Sequence, residues 1–329
     1  MIFYIFILFI LIFLSLGRES KLKSFFALLT LGLMISLKGD VGPDNYGYLV
    51  RYENFDPINS FLMLKGELGW YLIEYITYIN NWGYQMYTIF TALIGVGFLA
   101  LAQNKIKYLG FLVFVFQLLF VQLGLSGMRQ FIATSILVYA ISIYLFENQK
   151  SIIKFIFLLL LAASFHISVL TMFFVLLFLK KLNTNQIILI ILLGIIGLTS
   201  EIFSENIIKY DVRYLQGTRS SSGAWIRFAI TALVIKFSLI KSNKNLYYLG
   251  VSMLIFGLVL GVINSIALHR FNFYFFPIAC LLVIKNYKLS LIRHTKMKYV
   301  YLLSVLYFLG WFNFSRYGDS FIPYTFFFN

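Results

Sequence analysis

The sequence predicts an all-α polytopic bundle embedded in a membrane. Of its 329 residues 61% are hydrophobic and only 12% charged, and mean hydropathy is +0.87. Apolar runs of about 14 to 21 residues recur along the whole chain, against the roughly 20 that a helix needs to cross the hydrocarbon layer, or fewer if its ends lie in the interface. Unpaired backbone groups cost several kcal/mol each in lipid, which excludes open sheets.

Taken in order, the apolar runs place spans at 1–16, 24–37, 84–103, 108–125, 130–146, 152–164, 167–179, 186–203, 225–240, 246–266, 271–284 and 299–314. This is one transmembrane domain over residues 1–329, with about twelve spans (11 to 13) and both termini outside. The first run lacks a basic start and a small-residue cleavage site, so it reads as a retained helix. The run 152–179 is interrupted at Ser164, Phe165 and His166. A hairpin of two short halves puts Lys180 and Lys181 on the same side as Lys150 and Lys154, whereas a single tilted span does not. Cys280, the only cysteine, lies in an apolar run and reads as a small buried hydrophobe; neither a disulfide framework nor a thiolate metal site follows from it.

Charge supports this layout. With twelve spans, the cytoplasmic side collects seventeen basic residues against Glu19 and Glu147, and the outer side ten basic against ten acidic residues. The net charge of +15 is then a topology signal and not a nucleic-acid footprint. Fifteen of the seventeen inner basic residues are Lys, whereas seven of the ten outer ones are Arg. Lysine suits lipid headgroups, while arginine forks onto phosphate and carboxylate. The outer face is therefore the expected functional face.

Two outer loops stand out, 38–83 and 204–224. Within the first, Glu67, Trp70, Glu74 and Tyr78 recur at helical spacing, with Leu68, Leu72, Ile73 and Ile76 as an apolar face. This predicts an interfacial or re-entrant helix over 67–80. The second holds Lys209, Asp211, Arg213, Tyr214 and Arg219. No internal repeat, Gly-rich phosphate loop, H-E-x-x-H or cysteine pair occurs, and no metal or cofactor is expected.

Arg129 and Gln130 open a span after Gly127, where a helix N-terminus adds its positive dipole end; the pattern suits an anion, with a snorkelling arginine as the plainer reading. His166 interrupts an apolar run, as a packing residue or as a base. His269 and Arg270 break another run, and the shortness of the break points Arg270 into the bundle. Asp40, Asp44 and Tyr48 follow one another at intervals of four, either as turn residues around Pro43 or as ligands for sugar hydroxyls, with Asp44 a second candidate base. The outer aromatics, Trp70 among them, form an interfacial belt and also stack on sugar faces.

In this order the motifs resemble the EpsG-like branch of the Wzy-type polysaccharide polymerases. They are G-x-D-x-x-x-Y at Gly42, Asp44 and Tyr48; E-x-G at Glu67 and Gly69; R-Q at Arg129 and Gln130; and F-H-x-S at Phe165, His166 and Ser168. Arg270 with Tyr274 and Pro277, and a closing I-P-Y-x-F at Ile322, Pro323, Tyr324 and Phe326, complete the series. The second outer loop is shorter than in some members of the wider class.

The resemblance implies a metal-independent glycosyltransferase of the bacterial cytoplasmic (inner) membrane that joins undecaprenyl-diphosphate-linked repeat units of O-antigen, capsule or exopolysaccharide on the periplasmic or exterior face. It implies the lipid-linked glycan as substrate, membrane lipids around it, and a chain-length regulator and a flippase as partners. In that frame His166 or Asp44 is the base, and Arg129, Gln130, Arg270, Arg213 and Arg219 hold diphosphate. Asp40, Tyr48, Glu67, Trp70 and Tyr274 hold sugar. The rivals are a flippase or exporter of lipid-linked oligosaccharide, or an O-antigen ligase. Neither an inverted repeat nor a charge-lined path between leaflets favours the transporter.

Overall fold

The computed structural model describes residues 1–16, 20–62, 67–147, 151–175, 222–239, 244–263, 265–286, 295–314 and 319–327, with isolated positions between 188 and 199. Among these the fold is all-helical. The long helices are α1 (Ile2–Ser15), α2 (Lys21–Ser36), α6 (Gly83–Ile106), α8 (Met128–Phe146) and α9 (Ile152–Ala163), followed by α10 (Ser222–Leu239), α11 (Lys244–Ile263), α12 (Ser265–Asn286) and α13 (Thr295–Phe314). Between α2 and α6 lie α3 (Asn45–Glu53), α4 (Pro57–Leu62) and α5 (Leu68–Ile79). Short α7 (Gly110–Val115) continues as a π-helix, Phe116–Gly124. Among the described residues four segments are long and apolar enough to cross a membrane: Gly83–Ile106, Met128–Phe146, Lys244–Val262 and Ala267–Asn286.

Side-chain pairings fix the relative directions of the helices. Phe98 meets Tyr139, and Lys105 pairs with Glu147, the residue that follows α8, so α6 and α8 run parallel. Gln130 reaches the carbonyl of Arg270 at 3.0 Å, while Lys285 lies over the Phe146 ring, so α8 and α12 are parallel too. Asn272 donates to the Ala224 carbonyl and Asn286 to that of Ser238, which aligns α10 with α12. By contrast, α9 starts beside Tyr139 and Tyr144 and ends level with the start of α8. The chain then turns at Ser164 to His166 and re-enters the bundle as a 3-10 helix, Ile167–Phe174. Thus α9 ends, and α10 begins, at the same end.

That end gathers the polar segments: the end of α2, helices α3 to α5, and the starts of α6, α8, α10 and α12. The C-terminal segment straps it. Gly39 N–H donates to the Thr325 carbonyl, Gly42 N–H to Ser320 and Phe327 N–H to Leu37, while Tyr324 hydroxyl reaches the Met34 carbonyl at 2.6 Å. The opposite end carries Lys105, Glu147, Lys154 and Lys285.

Some expectations need correction. Helix α12 begins at Ser265 and runs unbroken through His269 and Arg270, so the predicted break lies several residues earlier. The predicted helix 108–125 changes to π register halfway. Helices α3 and α4, unpredicted, occupy the stretch read as a polar loop. Helix α5 forms where expected, with Trp70, Ile73, Glu74 and Thr77 buried and Leu68, Leu72, Ile76 and Ile79 facing outward. Where lipid is the surrounding solvent an apolar face is content outside, and the polar face turns to partners within.

Candidate functional site

The site is assembled on the turn between α9 and the 3-10 helix. The Ser164 carbonyl accepts hydrogen bonds from the N–H groups of Gly69 (2.8 Å) and Trp70 (3.2 Å), which docks the first turn of α5 against it. A Cβ at residue 69 would lie 2.5 Å from Ser164 Oγ and 3.0 Å from the Phe165 ring, so the glycine of the E-x-G motif permits the approach. Two residues back, Glu67 meets His166, with Oε1 2.9 Å from Nδ1, and its other oxygen pairs with the Arg129 guanidinium. Burial alone would raise the Glu67 carboxyl; the hydrogen bond with His166 and the charge of Arg129 outweigh it and hold the group at about 2. Glu67 is therefore an anion shared by two partners.

Arg129 is the second residue of α8, as the predicted helix start requires, and its guanidinium lies 5.8 Å from the Tyr48 ring centroid. Tyr48 tilts against Trp70, which is fully buried and donates its indole N–H to Glu74 at 3.1 Å. Glu74 also accepts from Arg51 at 2.8 Å; burial, only partly offset by Arg51, keeps its carboxyl above the usual range. Burial likewise raises the Tyr48 phenol, with Arg129 opposing.

The G-x-D motif closes another side. Gly42 has φ +93°, and a Cβ there would lie 2.8 Å from the Leu125 carbonyl oxygen. That carbonyl accepts from Lys38 Nζ at 2.5 Å, and Asp44 Oδ2 accepts from Ser126 Oγ at 2.7 Å. Residues 38–45 are thereby laid on the turn that starts α8. Burial draws the Lys38 ammonium down to about 7 despite Asp44 and Asp40. Asp40 and Asp44 are exposed, and Asp40 accepts from Asn45.

Of the sequence candidates, the structure gathers Asp44, Tyr48, Glu67, Trp70, Arg129 and His166. Gln130 is turned to the Arg270 carbonyl and so couples α8 to α12. Tyr274 is buried and its hydroxyl meets Ser168 at 2.8 Å. Arg213 and Arg219 lie outside the described residues. Among those described, no group of three or more His, Cys, Asp or Glu is placed to hold a metal ion. Sequence reasoning put Glu67 among the sugar ligands and missed it as the bridge between base and cation. The available signal was a carboxylate, in a chain with twelve, directly before an apolar helix.

An apolar helical bundle with a buried ionised cluster at one end defines a polytopic membrane protein. Its motifs, scattered from Gly42 to Phe326, converge there. The chain belongs to the EpsG family, whose model matches residues 21–326. No curated protein and no solved structure gave a significant match.

Proposed function

We propose that the protein is a polysaccharide polymerase that joins undecaprenyl-diphosphate-linked oligosaccharide repeat units, with its polar end on the outer face of the cytoplasmic membrane. Family membership supports the reaction class. The observation that carries the site is the Glu67 carboxylate bridging His166 and Arg129.

With His166 Nδ1–H donating to ionised Glu67, the imidazole lone pair lies on Nε2. It accepts the proton of the terminal sugar hydroxyl on the incoming unit. The hydroxyl oxygen forms the new bond to the anomeric carbon of the growing glycan, and the bond from that carbon to the lipid diphosphate breaks, its electron pair leaving with the diphosphate. Negative charge grows on this leaving group, where the positive charges of Arg129 and Arg270 stabilise it. Glu67 keeps His166 in the required tautomer, as a buried carboxylate does in other base-orienting pairs. Tyr48 and Asp44 line the acceptor side.

Deletion followed by gel analysis of surface polysaccharide tests the reading. Single repeat units attached to the normal acceptor are expected; absence of any unit is the pattern of a lost flippase or ligase and refutes a polymerase. Arg129→Ala is expected to abolish elongation in a protein that still inserts, and Arg129→Lys to rescue poorly, since lysine cannot fork between Glu67 and a phosphate.

A further inference from the structure

Three segments supply the groups that the proposed reaction uses: Arg129 in the first turn of α8, His166 just before the 3-10 helix, and Arg270 in α12. They are far apart in sequence, so their mutual placement depends on contacts between the segments. Glu67 joins the first two, meeting both Arg129 and His166. Gln130, next to Arg129, joins the first and third by donating to the Arg270 carbonyl at 3.0 Å. A further link runs between the second and third. Two residues after His166, Ser168 Oγ lies 2.8 Å from the hydroxyl of Tyr274, which follows Arg270 by four residues.

Both residues of this pair are fully buried. Tyr274 therefore has no surface to offer a sugar, contrary to the expectation from sequence, and its hydroxyl serves a contact inside the bundle. Residues four apart on a helix share a face, so the bond is made one turn along α12 from Arg270. On the other side His166 caps the 3-10 helix that carries Ser168, and Thr171 Oγ1 donates to the Ser168 carbonyl at 2.7 Å within the same short helix. A buried hydroxyl pair is directional, and breaking it by removing one member costs more than replacing both. It holds two backbones in register where apolar packing alone allows sliding.

We propose that Ser168 and Tyr274 are positioning residues, whose hydrogen bond closes the third side of a triangle with Glu67 and Gln130 on the other two and so sets His166 against Arg270. The roles of the corners rest on the polymerase reading above. In that reaction the acceptor hydroxyl gives up its proton at His166 as the diphosphate departs toward Arg129 and Arg270. The base and the cation therefore have to be in place together, and a displacement of about 1 Å between them costs rate. Substrate binding, which also draws on Arg129, is little affected.

The test joins kinetics and melting on the purified full chain in nanodiscs. Tyr274→Phe keeps the ring and its edge contact with Phe271 and deletes only the hydroxyl. Its kcat for transfer between defined lipid-linked units is expected to fall about ten- to a hundredfold with KM unchanged. Arg270→Ala is expected to cost Tyr274→Phe much less than it costs the wild type, because an Arg270 already displaced has little left to lose. Ser168→Ala and Tyr274→Phe each remove one member of a buried pair and are expected to lower the melting temperature. The double variant, with both hydroxyls gone, is expected to recover melting temperature but not kcat. Recovery of kcat along with melting temperature, or losses that simply add to those of Arg270→Ala, overturns the positioning role. Wild-type melting temperature in both single variants overturns the bond itself. Failure of the polymerase reading appears separately, in the deletion gel, and the melting comparison still decides the bond.

Discussion

Glu67 and His166 meet at 2.9 Å across 99 residues of sequence, and the carboxylate that holds the imidazole also neutralises Arg129. Glu67→Gln separates these duties. The amide oxygen can still accept from Nδ1–H, but the amide nitrogen then faces Arg129 donor to donor. Polymer synthesis by isolated membranes is expected to fall by about a hundredfold or more, the range for a mispositioned general base. The same substitution has a signature in acid. Because the folded Glu67 sits at about 2 against an ordinary 4.5, it contributes stability above pH 4.5 that is lost as pH falls toward 2. The full contribution is about 3 kcal/mol at 1.36 kcal/mol per unit. Melting curves of wild type and variant should converge between pH 4.5 and 2; a constant gap would show that Glu67 is not held ionised.

The dock of α5 on the Ser164 carbonyl sets the distance from Glu67 to His166. Gly69→Ala places a methyl 2.5 Å from Ser164 Oγ, so either the serine rotates or the helix retreats. Overpacking of this kind costs about 1–3 kcal/mol. Activity is expected to fall with it, and Gly69→Ala combined with Ser164→Ala, which removes the nearest atom, is expected to recover part of both. Equal melting temperature and equal polymer yield in Gly69→Ala would remove the dock from the account.

The all-helical bundle was legible because its signal is compositional: apolar runs report helices locally. The site was legible only as fragments. Arg129 at a helix start and His166 in an apolar run each announce themselves, but Glu67 joins them over separations of 62 and 99 residues, for which no local pattern exists. The polar stripe of α5 was readable, and it faces inward where lipid replaces water outside. The π register at 116–124 shifts hydrogen bonds by one residue and leaves no trace in composition. Arg227 and His269, 42 residues apart, meet only when α10 and α12 are set side by side.

Lys38 is buried against the Leu125 carbonyl and drawn down to about 7. In the unfolded chain it returns to an ordinary 10.5, so between these values the unfolded state binds the extra proton and stability rises with pH. The burial penalty is fully present below pH 7. Relative to Lys38→Met, the wild type is expected to gain stability from pH 7 to 9 at up to about 1.4 kcal/mol per unit. Parallel melting temperatures over that range would mean that Lys38 remains charged in place.

His166 and Asp44 compete for the role of base, and their surroundings separate them. Asp44 is exposed and bound to Ser126 on both sides, its own N–H donating to Oγ at 3.2 Å and its carboxylate accepting from it at 2.7 Å. Asn in its place keeps an acceptor for Ser126 and loses only the capacity to take a proton. If Asp44 positions residues 42–48 against α8, Asp44→Asn should retain most activity, while Asp44→Ala and Ser126→Ala should each lose several-fold and their double variant lose little more, because both delete the same contact. His166→Gln keeps a donor for Glu67 but has no basic nitrogen, and elongation should fall by about 10²–10⁴. Initial rates of polymer formation on defined lipid-linked units decide the matter. A loss of that size in Asp44→Asn, with His166→Gln active, would transfer the proton to Asp44 and leave Glu67 and His166 as a structural pair.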